Sequence, residues 1–183
     1  MIKHIYIRNK FKERNINLMT ADDFKGVKLV LFDFDDTLAI HTKHYDEDDS
    51  VYFEDMLRGN SEWWTKRCEI SEKMKNLLQI CYISNIRVGL LSAVSLPIIA
   101  DMKIKWVEDH YGYKLENFCS STAGEKLAII ETAMKAYNLK PNEICFIDDL
   151  YSTVIKVASK GVWAISCLEA VNLVDKINAN RGL

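Results

Sequence analysis

Apolar residues along the chain fall into short continuous runs, separated by longer stretches in which they recur every three or four positions. Residues 28–34, 87–91, 143–147 and 161–167 form such runs, with a weaker one at 116–119, and each predicts a strand. Runs this short and this apolar suit strands buried on both faces of a parallel sheet. Between them, residues 71–83 place Met74, Leu77, Leu78 and Cys81 at helical spacing, with Ser71 and Glu72 as a start signal. Pro97 falls near the start of the next helix, where its missing N–H costs little, and Tyr111-Gly112 ends it. Helices are also predicted over 125–138, over 152–160 (stopped by Gly161) and over 168–178. Strand and helix alternate, so the expected fold class is α/β, a doubly wound parallel sheet with helices on both faces.

Residues 1–26 fit the alternation poorly. The stretch 1–7 has some strand character and 8–17 is polar and basic, so 1–26 reads as an N-terminal extension with no assigned function. There is no internal repeat or low-complexity linker, and residues 1–183 are read as one domain.

Composition narrows the classes of function. With 49% hydrophobic and 27% charged residues the chain is ordinary globular material, and disorder is not the default. A net charge of -2 leaves nucleic-acid binding unsupported. No apolar run approaches the roughly 18 residues that cross a bilayer, and the N-terminus lacks the apolar core of a secretory signal. No membrane partner is expected, and the expected location is cytoplasmic. The five cysteines are scattered without a Cys-x-x-Cys pair, so they read as reduced thiols, with Cys145 and Cys167 as small buried hydrophobes. Oligomeric state is not encoded legibly.

The chemistry concentrates in 29–38, LVLFDFDDTL, where an apolar strand runs into carboxylates and a threonine. Ligands of open parallel sheets collect beyond the carboxyl ends of the strands. If the extended conformation persists, Asp33 and Asp35 point to one side and can share a cation. Two close carboxylates repel, so keeping both ionised at neutral pH calls for a divalent cation or another positive partner. Ser92 closes the strand at 87–91, the pair Asp148-Asp149 closes that at 143–147, and Lys126 opens the helix at 125–138. Taken singly, Ser92 reads as a helix cap, Lys126 as a solvated lysine, and Asp36, Asp148 or Thr37 as a turn or cap residue. Taken together they place acids, a hydroxyl and a cation in one crevice.

With these residues in place, the sequence resembles the haloacid dehalogenase (HAD) superfamily of hydrolases. The stretch 32–38 matches the family's Asp-x-Asp-x-Thr motif, Leu90-Leu91-Ser92 its second motif, Lys126 its third, and Phe146-Ile147-Asp148-Asp149 its fourth. The resemblance implies a Rossmann-like core and an Mg²⁺-dependent phosphatase that hydrolyses a phosphomonoester through a phosphoaspartate. Asp33 is then the nucleophile, Asp35 the proton donor and acceptor, and Ser92 and Lys126 the groups that hold phosphoryl oxygens. The metal falls to Asp33, to Asp35 through its backbone carbonyl, and to Asp149, with Asp148 assisting. Response-regulator receivers use similar ingredients, but in them the paired acids come before the phosphate-accepting Asp, and the order here argues against that fold. Two rival functions stay open, phosphoryl transfer to an acceptor other than water and a non-catalytic binding or regulatory module on the same fold.

Residues 39–70 are expected to form a flap or small cap within the domain. They are too short for a large cap, and no long insertion separates Ser92 from Lys126. They contain His41, His44, the acidic run 46–49, Tyr52, Phe53, Trp63, Trp64, Lys66 and Arg67. The histidines lack the partners a zinc site needs, the acidic run reads as a solvated loop, and one of the tryptophans reads as packing for the flap. The partner is a phosphorylated substrate, a small molecule or a phosphate on a larger one.

Overall fold

The computed structural model describes residues 19–42, 54, 58 and 62–181. His44, residues 46–49, Tyr52, Phe53, the side chain of Trp63 and the segment 1–18 lie outside the described residues. The elements run α1 (Ala21–Phe24), β1 (Leu29–Phe32), β2 (Ala39–His41), α2 (Glu62–Arg67), β3 (Cys68–Ile70), α3 (Glu72–Ile83), β4 (Arg87–Leu90) and α4 (Pro97–Tyr111), then β5 (Glu116–Asn117), α5 (Lys126–Ala136), β6 (Ile144–Asp148), α6 (Tyr151–Ala158), β7 (Trp163–Ser166) and α7 (Cys167–Arg181). Five strands form a parallel sheet in the order β5-β4-β1-β6-β7.

Alternation along the strands divides the core into two layers. Val30 and Phe32 of β1 face one way with Val88, Leu90, Cys145 and Ile147, and they meet α3, α4 and α7. Leu29 and Leu31 face the other way with Ile144 and Phe146, and they meet α5 and α6. All four residues of β1 and all five of β6 are buried, as expected of central parallel strands covered on both faces. Gly89 in β4 is required by packing, because a Cβ there would lie 2.4 Å from the ring of Phe118.

The order of connections places a crevice between β1 and β6. From β1 the chain moves outward to β4 and β5, then crosses back to β6 on the other side, so the loops leaving β1 and β6 diverge. Three features differ from the sequence reading. The helix predicted from 125 starts at Lys126, because a 3₁₀ turn over Ala123–Glu125 precedes it, capped by Thr122 and Glu125. Residues 19–26 are anchored to the domain, since Met19 and Phe24 are buried in its core. The extended conformation does not persist to Asp35, as β1 ends at Phe32 and the chain turns.

Within the stretch 39–70, residues 39–41 and 68–70 pair as a two-stranded antiparallel ribbon, β2 with β3, joining Ala39 to Ile70 and His41 to Cys68. Helix α2 precedes β3, and its Trp64 is fully buried, edge-on to Phe34 with ring centroids 5.3 Å apart.

Candidate active site

Strand β1 delivers Asp33 to the crevice. Its N–H donates to the carbonyl of Ile147 at 2.9 Å, carrying the ladder one residue past the strand. The chain then turns sharply, with the Phe34 carbonyl accepting from the amides of Thr37, Leu38 and Ala39 at 3.3, 2.9 and 2.9 Å. Asp36 adopts a left-handed φ of 51°, which Asp tolerates better than most residues because its short side chain can bond locally. Its Oδ1 accepts from the His41 N–H at 3.1 Å. Thr37 is buried, its Oγ1 lying 3.2 Å from the Cys167 Sγ. This turn separates Asp35 from the line of the strand.

Two adjoining clusters result. In the first, the Lys126 Nζ lies 2.9 Å from Asp33 Oδ1 and 2.7 Å from Asp148 Oδ2. All three residues are buried. The second oxygen of Asp148 accepts from the Leu150 N–H at 2.7 Å, so both its oxygens are held. Asp33, Asp148 and Asp149 each present a carboxylate oxygen, and these lie within 4.8 Å of one another. Three hard oxygen donors with no thiolate or imidazole among them fit a hard divalent cation such as Mg²⁺.

The second cluster surrounds Asp35. Its Oδ2 accepts from the Lys103 Nζ at 2.6 Å, and its Oδ1 lies 3.3 Å from the His41 Nε2. Lys103 also donates to the Ser92 Oγ at 3.0 Å. His41 Nδ1 is 3.5 Å from the Cys68 Sγ across the ribbon. Asp33, Lys126, Asp148 and Asp149 thus meet in one cluster, and Asp35 and Ser92 in the other.

Electrostatics separates the carboxylates. Burial pushes Asp33 up to about 6, against the pull of Lys126. Burial also raises Asp149 to about 6, helped by the neighbouring charges of Asp148 and Asp36. Burial works in the same direction on Asp35, but hydrogen bonds from His41 and Lys103, with their positive charge, outweigh it and hold Asp35 down to about 2. His41 is raised to about 10, first by its bond to Asp35 and then by Cys68. Burial opposes the charge on Lys126, yet Asp33 and Asp148 more than compensate and raise its pKa. The two carboxylates are thus displaced in opposite directions, Asp33 toward its protonated form and Asp35 toward its ionised form.

Lys103 is the residue that the motifs do not reveal. It stands in α4 beside Lys105, which pairs with Asp109 on the exposed face, and by type both read as solvated lysines. The signal lies in its spacing. Lys103 follows Ile99 by four and precedes Trp106 and Val107 by three and four, which puts it on the buried face of the helix.

The central parallel sheet, the acidic cluster beyond β1 and β6, and the short inserted ribbon define the HAD-type α/β fold. Solved structures share it at low sequence identity. A Legionella pneumophila structure assigned to subfamily III A of the HAD hydrolases matches with a TM-score of 0.53 and 13% identity over 95% of this chain and 92% of that one. A hypothetical protein of Xanthomonas campestris matches with a TM-score of 0.52 and 14% identity over 88% of this chain and 87% of that one. The 3-deoxy-D-manno-octulosonate 8-phosphate phosphatase of Yersinia pestis matches with a TM-score of 0.50 and 11% identity over 89% and 86%. No family model matches the sequence, and no curated protein does. Among the described residues, no helix is long and apolar enough to cross a membrane.

Proposed function

We propose that the protein is an Mg²⁺-dependent phosphatase that hydrolyses a phosphomonoester through a phosphoaspartate on Asp33. The observation that carries this reading is the division of the carboxylates: Asp33 in a cluster with Lys126, Asp148 and Asp149, and Asp35 in a separate one with Lys103, His41 and Ser92. Asp33, Asp149, Asp148 and the backbone carbonyl of Asp35 would hold Mg²⁺, which when bound would supply positive charge that reduces repulsion between nucleophile and phosphate. An Asp33 carboxylate oxygen forms the new bond to phosphorus as the bond to the leaving oxygen breaks. Lys126 and Ser92 hold the non-transferred phosphoryl oxygens.

Asp35 gives a proton to the leaving oxygen and later takes one from the water that attacks phosphorus, releasing phosphate and restoring Asp33. In the resting site Asp35 is ionised, held so by His41 and Lys103. A phosphate entering beside it raises its affinity for a proton, because like charge favours the neutral acid, and Asp35 takes that proton from solvent before it protonates the leaving oxygen.

A small phosphorylated molecule is the first substrate class to test. Trp64 is buried against Phe34, and His41 is turned to Asp35, so these two are part of the framework. The shared fold with a phosphatase of a phosphorylated sugar acid supports testing that class first.

The direct test is phosphate release from a panel of phosphomonoesters, with Mg²⁺ and with a chelator in its place. Release from at least one substrate, lost with the chelator, is expected. Release that persists undiminished without divalent metal, or none from any member, overturns the proposal.

A further inference from the structure

Lys103 stands outside all four motifs, yet it occupies the junction between two groups that the phosphatase reading uses. Its side chain is among the most enclosed charges in the molecule, with the residue only 2% exposed. The ammonium donates to Asp35 Oδ2 at 2.6 Å and to Ser92 Oγ at 3.0 Å. It lies 4.8 Å from the ring centroid of Phe34 and 5.9 Å from that of Trp64. Phe34 belongs to the loop of the proposed nucleophile and Trp64 to the inserted helix α2.

We propose that Lys103 is a positioning residue that couples the phosphate-binding hydroxyl to the proton-transfer carboxylate. The inference rests on the phosphatase reading for the roles of Asp35 and Ser92. Its physical basis is the donor inventory. An ammonium has three donors and no acceptor, so Ser92 must accept from Lys103 through an oxygen lone pair. The hydroxyl hydrogen of Ser92 is then left to point elsewhere, and Ser92 is presented as a donor, the form a phosphoryl oxygen needs. The same ammonium fixes one oxygen of Asp35 while His41 holds the other, so the carboxylate is locked in one orientation.

A buried charge of this kind is expensive to keep. Replacing both members of a buried ion pair by apolar groups of similar volume is often neutral or stabilising, whereas removing one partner alone leaves the other charge uncompensated and destabilises. The retention of Lys103 is explained by what it aligns. Lys126 bridges Asp33 and Asp148 on one side of the crevice, and Lys103 bridges Asp35 and Ser92 on the other.

The test uses Lys103→Met in the full-length protein, with Lys103→Gln as the alternative if the first does not fold. Each is combined with Asp35→Asn and with Ser92→Ala. Two readouts are taken, kcat on the best phosphomonoester and the affinity for tungstate with Mg²⁺ by titration calorimetry. The single variant is expected to fold with a lower Tm, because Asp35 loses its ammonium partner, to lower kcat about a hundredfold and to weaken tungstate about tenfold. The kcat loss should vanish in the Asp35→Asn background, and the tungstate loss in the Ser92→Ala background. A folded variant within threefold of wild type in both readouts overturns the proposal, as does a loss retained in full in either background. Wild type that binds tungstate with this dependence but turns over no phosphomonoester leaves Lys103 in its role and removes the phosphatase reading. Wild type that does neither removes both.

Discussion

Asp33 and Asp149 both have proton affinities raised from the ordinary 3.8 to about 6, and both offer oxygens to the same cation position. Between those two values the folded, metal-free chain binds more protons than the unfolded one. Stability contributed by these groups therefore falls as pH rises from about 4 to 6. A cation at the cluster competes with those protons, so its binding must strengthen over the same interval. Titration of Mg²⁺ by calorimetry between pH 5 and 8 should show affinity rising roughly tenfold or more per pH unit below about 6, then levelling off. Affinity independent of pH across that range would place the cation elsewhere. Asp35 is kept out of this competition, because His41 and Lys103 hold it ionised well below the window.

Strand β4 shows how tightly the elements that carry these residues are packed. A Cβ on Gly89 would meet two atoms of the Phe118 ring at 2.4 and 2.6 Å and the Leu31 Cδ2 methyl at 3.0 Å, and the two closest contacts fall on a rigid ring. Gly89→Ala should destabilise the protein by about 1–3 kcal/mol in denaturant unfolding, through overpacking. A change within about 0.5 kcal/mol would show that the sheet gives way there. Most strands and helices were readable because they are either continuous apolar runs, as in β1 and β6, or carry period and caps, as in α3 with Ser71 as N-cap. The turn after β1 was not readable in this way. Alternation extrapolated through Asp35 put both acids on one face, whereas the three amides converging on the Phe34 carbonyl bend the chain at once. Lys103 was hidden for a related reason, since residue type favours exposure and only its spacing with Ile99, Trp106 and Val107 gives it away.

Over the whole molecule, the crevice between β1 and β6 follows from the strand order, and that order follows from alternating strand and helix with a single return across β1. Residues from 33 to 149 meet there because parallel strands all end on one edge. The ribbon β2–β3 adds His41 from the inserted segment, and α4 adds Lys103, so the Asp35 cluster draws on parts of the chain that the four motifs do not span. A fold of this kind serves many chemistries, so the weight of the functional account rests on the Asp33 carboxylate as the attacking group. The decisive measurement is kcat for phosphate release by Asp33→Asn beside wild type, on the best substrate with saturating Mg²⁺ and with folding verified for both. The account predicts a fall of about a thousandfold or more, as expected when a nucleophile is removed. An Asp33→Asn protein that turns over at the wild-type rate would contradict it.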